Sequence, residues 1–255
     1  LVLGGACTSP DFSEQYSENE KNRIDSIVFA GRNIDTLRVM VDRFTAEDNL
    51  YGQVVACREL GRSYRNASMF AEAVDIHKRG LCCAEKICDT IQIIQALNNI
   101  GTDYRRMGIL DEASSYHYQA LTCSDRYSDK TGDVAIKNRV VSLNGIGNVQ
   151  LTLGNTAVAD SAFRLALKGE IYLGSLVGQA INYANIGSIL EGNGQIDSAR
   201  YYYSRSLKCN EEADSRLGIS LCHTHFGRLY ENEGEIDKAI AEYREAYNLM
   251  KESRD

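Results

Sequence analysis

Apolar residues return every three to four positions through most of this chain, and short polar stretches rich in Gly, Asn and Asp interrupt them. Residues 97–121 show the grammar. Leu97, Ile100 and Tyr104 form one helical stripe, Gly108 follows as a terminator, and Asp111 stands where a second helix begins. Ala113, Tyr116, Ala120 and Leu121 then carry the apolar face of that second helix. The same sentence is written five times, in residues 59–81, 99–121, 145–167, 185–207 and 226–247. Its anchoring glycines are Gly61, Gly101, Gly147, Gly187 and Gly227, spaced 40, 46, 40 and 40 residues apart. Gly154, Gly194 and Gly234 mark the matching turns, and Asp197 and Asp237 the matching helix starts. The six extra residues of the longer step fall within 124–138, as a longer loop or a helix extension.

A glycine inside a helix costs about 1 kcal/mol against Ala, so five in register need a cause. Close approach of the partner helix supplies it. Ala73, Ala113, Ala159, Ala199 and Ala239 offer small surfaces on the second helices, and Phe163, Tyr203 and Tyr243 fill the space to the next unit. The one proline, Pro10, precedes all of this, so no later helix meets a proline break.

Taken together these motifs resemble the tetratricopeptide repeat: a first helix with L/I-G-x-x-Y, a glycine turn, and a second helix with A-x-x-x-F/Y-x-x-A-L. The resemblance covers residues 50–255 and is similar to the extended repeats of about 40 residues, not the 34-residue standard. Gln150 and Leu190 replace the first-helix Tyr, and His77 and His117 the second-helix aromatic. It implies an all-α, right-handed superhelix, an α-solenoid of antiparallel helix pairs. Residues 20–49 carry helical patterning without the anchors (Ile24, Ile27, Val28; Leu37, Met40, Val41, Phe44), as expected of a degenerate terminal cap. Residues 1–19 read as disordered.

The resemblance also implies a ligand face. In such stacks the first helices line a concave groove. The lining positions map to Arg58, Arg62 and Arg65; then Gln95, Asn98, Asn99, Thr102 and Arg105; then Asn144 and Asn148; then Asn185, Ser188 and Glu191; then His225, Arg228 and Glu231. Asn99 and Asn185 occupy the position at which family members hold a bound peptide's backbone. Arg58, Arg62 and Asn99 resemble a carboxylate clamp whose third-repeat basic residues are replaced by Val141 and Gly145. Arg58, Arg62 and Arg65 share one helix stripe and Arg105 adds to their charge on the concave face, so the N-terminal half should take an acidic group and the half with Glu191 and Glu231 a neutral or basic one; the alternative is a solvated polar face.

The formal charge of −7 argues against a general nucleic-acid binder, and YYY at 201–203 is assigned to helix faces and core. No phosphate loop, nucleophile elbow or zinc-helix motif is present, so neither catalysis nor a cofactor is expected. His223 and His225 diverge on their helix. His77 recurs as His117, and Cys83 recurs as Cys123 and Cys209, which points to packing and not to a metal or disulfides. Leu1–Ala6 is apolar and small and is followed by Cys7 and an acidic stretch, resembling the end of a lipoprotein signal. The expected function is a protein- or peptide-binding scaffold, as the sensing domain of an exported bacterial sensor or regulator facing the cell envelope and tethered through its N-terminus. The alternative is a cytoplasmic adaptor or peptide-responsive regulator.

Overall fold

The computed structural model describes residues 16–31, 33–126 and 132–252. Among these there are twelve α-helices and no strand. They are α1 Glu18–Ala30, α2 Ile34–Ala46, α3 Leu50–Asn66, α4 Phe70–Lys86, α5 Thr90–Met107 and α6 Leu110–Arg126. Then come α7 Asp133–Thr152, α8 Thr156–Tyr172, α9 Leu176–Gly192, α10 Ile196–Glu212, α11 Arg216–Asn232 and α12 Ile236–Glu252. The fold is an α-solenoid of antiparallel helix pairs. The chain divides into two compact units, one ending at Gly145 and the other starting at Ile146.

The period follows from the joins. Most helices are 17 residues long, and a three-residue join closes each. Among the described residues, nine joins each have one residue of positive φ: Asp48, Ser68, Cys88 and Gly108 in unit 1, and Gly154, Gly174, Gly194, Asp214 and Gly234 in unit 2. A left-handed residue after the last turn lets the chain reverse while its N–H groups satisfy the final carbonyls. Two helices and two joins therefore make 40 residues, where the shorter helices of the standard repeat make 34.

In unit 1, α1 and α2 pack on α3 through Ile24, Val28, Leu37, Val41 and Phe44 against Tyr51, Val54 and Val55. Helix α1 begins at Glu18, inside the stretch read as disordered, because Ser17 and Glu20 form a capping box. Residues 1–15, with Cys7, and residues 127–131 of the expected insertion lie outside the described residues. Part of that insertion is helix: α7 starts at Asp133 and runs for 20 residues.

The glycine anchors meet rings. A Cβ at Gly61 would lie 2.3 Å from His77 Nε2, and one at Gly101 would lie 2.9 Å from the His117 ring. In unit 2 the same test brings Gly147 to Phe163, Gly187 to Tyr203 and Gly227 to Tyr243, at 2.5–2.7 Å. The rings also reach onward. His117 lies against Gly145, and Tyr203 stacks on His225 with centroids 4.4 Å apart. Each of these two rings thus touches its own glycine and the next first helix. The paired alanines Ala73, Ala113, Ala159, Ala199 and Ala239 are all buried.

The cysteines Cys83 and Cys209 are buried, Cys123 is half-buried, and all three are free thiols. Burial also pushes the Cys57 thiol up to about 12, which leaves it protonated and inert.

Candidate functional site

In unit 1 the first helices α3, α5 and α7 enclose an open cavity of about 400 Å³. Its walls are Arg58, Arg62, Gln95, Asn98, Asn99 and Thr102, all expected from the sequence, with Val134, Lys137, Asn138 and Val141. Side chains at i, i+3, i+4 and i+7 of α3 and α5 share a helix face, which is why these positions converge.

The four arginines expected to act together divide. Arg58 is largely consumed: its Nε donates to Glu59 at 3.1 Å, and its Nη1 donates to Gln92 and Gln95 at 2.9 and 2.8 Å. Arg65 is tied to the fully buried Asp103 at 2.8 Å and to Asn99 Oδ1 at 3.1 Å. Arg105 does not line the cavity. Arg62 is the stripe residue that remains half exposed, and Glu59, 3.0 Å away, is its one ion-pair partner. Partial burial lowers its basicity, as do Arg58 and Arg65, while Glu59 opposes them.

Lys137 supplies a second free charge. It is exposed and has no ion pair among the described residues. Lys137 stands one turn before Val141, which with Gly145 occupies the positions where no third-repeat basic residue was found. Asn99 accepts from Arg65 through Oδ1, which leaves its Nδ2 N–H groups to the cavity. Asn98 is largely spent. Its Nδ2 donates to Ser142 Oγ at 2.9 Å, and its Oδ1 accepts from His117 Nδ1 at 3.0 Å, so it bolts α5 to α6 and α7. Asn144 keeps its Oδ1 buried without a hydrogen bond.

Asp103 was missed. It sits two residues after Gly101, where the other copies carry Ser63, Val149, Ile189 and Leu229, the last three buried. Its Oδ2 lies 2.5 Å from His77 Nδ1 and its Oδ1 accepts from Arg65. An ionisable residue at a position that three of the other four copies fill with an apolar side chain was the signal.

Unit 2 presents a different face. Glu191 accepts two hydrogen bonds from Arg228 and one from the Tyr203 hydroxyl, each 2.7 Å. Burial raises its carboxyl, but the bonds from Arg228 and Tyr203 outweigh that and leave it below the usual range. The expectation that Glu191 would attract a basic segment is therefore corrected, because Arg228 already neutralises it. Glu231 remains exposed and accepts from Tyr243 at 2.8 Å. His225 stacks on Tyr203 and accepts from Arg228, while His223 bonds Glu242 at 2.7 Å, so the two histidines diverge as expected. Asn148, Asn185 and Ser188 are half-buried on their first helices. Val177 and Ile181 of α9, and Leu217 and Leu221 of α11, are about half exposed one and two turns before the polar positions. Among the described residues no three His, Cys, Asp or Glu side chains are grouped to hold a metal, and no helix is long and apolar enough to cross a membrane.

Family models of the tetratricopeptide repeat match residues 93–126 and 178–252. No curated protein matches the chain in sequence. Among solved structures, BtubC (BKLC) from P. vanneervenii is 17% identical, with TM-score 0.71 and 92% of each chain covered. A Rap protein complexed with Competence and Sporulation Factor is 18% identical, with TM-score 0.69 over 96% of this chain and 74% of that one. The Rap conjugation gene regulator of plasmid pLS20, in complex with the Phr* peptide, is 16% identical, with TM-score 0.66 over 84% of this chain and 57% of that one. At these identities the likeness is one of fold. With the family models matched in both units, and the same glycine-anchored helix pairs repeated outside the matched residues, this chain carries tetratricopeptide repeats.

Proposed function

We propose that the chain is a protein-binding scaffold without catalysis, and that the unit 1 cavity holds an acidic group of a peptide or protein segment. The observation that carries this is the unbalanced charge of the cavity. Arg62 and Lys137 face it, Glu59 is the one carboxylate bound to Arg58 and Arg62 among the described residues, and the free Asn99 amide stands between α3 and α7. A guanidinium and an ammonium take a carboxylate, and an amide donor takes the adjoining backbone carbonyl. One solved structure of similar fold holds the Phr* peptide and another is complexed with Competence and Sporulation Factor, which supports the reading.

The experiment is a peptide array of acidic C-terminal sequences, each with a free and an amidated terminus, probed with wild type and with Arg62→Gln/Lys137→Gln. Each lost charged hydrogen bond costs about 1.5–3 kcal/mol, so the double variant is expected to lose at least about tenfold in affinity. Undiminished binding would move the site elsewhere and leave these charges as solvated surface.

The proposal extends to location. The apolar, small Leu1–Ala6 before Cys7 supports a lipid-anchored domain facing the cell envelope. The native protein is then expected in the membrane fraction, and Cys7→Ala in the soluble one. Equal partitioning of the two favours the cytoplasmic regulator.

A further inference from the structure

Beside the first cavity, unit 1 has a second recess of about 260 Å³, between the α3–α4 join and the last turn of α5. Arg65, Asn66, Ser68, Phe70, Thr102 and Arg106 line it, and Thr102 lines the first cavity as well. The two therefore adjoin along α5. No carboxylate lines this recess.

Its donors are unspent. Arg106 is exposed and has neither hydrogen bond nor ion pair among the described residues. The Asn66 and Ser68 side chains are likewise exposed and make none. Arg65 commits both Nη1 hydrogens and one on Nη2 to Asn99 and Asp103, which leaves its Nε–H and one further N–H. The Thr102 hydroxyl donates to the Asn98 carbonyl and offers only lone pairs. Arg105 adds a third guanidinium nearby; partial burial lowers its basicity, and so do Arg106 and Arg65. The buried carboxylate at this end, Asp103, is shared by Arg65 and His77. Helix α4 also opens here, with Met69 at its cap position making no side-chain cap, so first-turn N–H groups add positive potential. Glu72 in that turn acts on Arg38 of α2.

We propose that this recess binds a phosphate-class oxyanion, carried as a phosphorylated side chain on the peptide that occupies the adjoining cavity. The peptide part rests on the function proposed above. Arg106, Asn66, Ser68 and the spare Arg65 hydrogens outnumber what two carboxylate oxygens use, and they suit a doubly charged group with three oxygens. The two cavities together run from Gln95 to Arg106 of α5, eleven residues and about 16 Å. An extended peptide covers that in about five residues. The ligand thus carries its two anionic groups within roughly five residues of each other.

The test uses amide NMR of the full chain with two probes. The first is inorganic phosphate against chloride at equal ionic strength. The second is a glycine-rich hexapeptide with phosphoserine at its start and a free C-terminal carboxylate, paired with its unphosphorylated form. Inorganic phosphate is expected to give saturable shifts at Ser68–Ala71 and Arg106, weakened at least about tenfold by Arg106→Gln and unchanged by Arg62→Gln. The phosphorylated peptide is expected to bind at least about tenfold tighter than its partner in wild type, and equally in Arg106→Gln. Absent shifts, or shifts indifferent to Arg106→Gln, overturn the site. Phosphate shifts without a gain for the phosphorylated peptide overturn its peptide source and leave a free-anion site. Loss of all peptide binding with phosphate shifts intact points instead to failure of the first cavity.

Discussion

Asp103→Ala is expected to cost about 3–5 kcal/mol in chemical denaturation, the range for removing one partner of a buried ion pair. The carboxylate is fully buried and touches two partners from different helices, His77 of α4 and Arg65 of α3. Without it, Arg65 keeps its bonds to Asn99 but has no counter-charge, and His77 keeps only its bond to the Arg58 carbonyl. The deleted side chain also leaves a void where three of the other copies hold Val149, Ile189 or Leu229. A loss under about 1 kcal/mol would mean that the network is slack and that solvent replaces it. The same variant has a second readout. Arg65 borders the phosphate-class recess, so freeing it from Asp103 should tighten inorganic phosphate there even as the fold weakens.

Acid should also destabilise the protein through His117. Burial holds this imidazole down at about 4, with a smaller push from Arg105. Its Nδ1–H donates to Asn98, and its Nε2 is buried with no partner, so protonation would place an unanswered N–H in the core. The folded value lies below the unfolded value of about 6.5. Between the two the unfolded chain binds more protons. The stabilisation from a neutral His117 is therefore complete above pH 6.5 and is lost as pH falls toward 4. About 2.5 pH units correspond to about 3 kcal/mol. His225, also held at about 4 by burial, adds in the same direction. Urea denaturation between pH 4 and 7 should show this fall, and the His117 Cε1–H resonance should not move until pH approaches 4. A titration midpoint near 6.5 in the folded protein would refute it.

The two histidines show how far the sequence carries the argument. Their shared register position was legible from Gly61 and Gly101, because a helix glycine in register demands a close neighbour. Which partner each ring finds was not legible, because Asp103 and Asn98 reach those rings from another helix, 26 and 19 residues away along the chain. The groove behaved in the same way. Helical spacing brought Arg58, Arg62, Gln95 and Asn99 to one wall, yet it could not tell that Gln92 and Gln95 would consume Arg58 or that Asp103 would claim Arg65. Lys137 was hidden by register. The longer step before α7 breaks the regular count, and aligning on Gly147 directed attention to Val141 and Gly145.

The joins described above constrain how such a chain can lengthen. Their left-handed residues recur every twenty positions, at 48, 68, 88 and 108 and again from 154 to 234. A duplication of twenty residues would leave every turn intact and yet exchange inner and outer helices from that point on, turning the ligand-facing side chains to the back. A duplication of forty preserves both the turns and the faces. Gains and losses of sequence that keep a binding surface must therefore come in whole helix pairs. The six additional residues ahead of Gly147, which fit neither count, had to be absorbed locally, and a 20-residue α7 among neighbours of 17 is where part of them went.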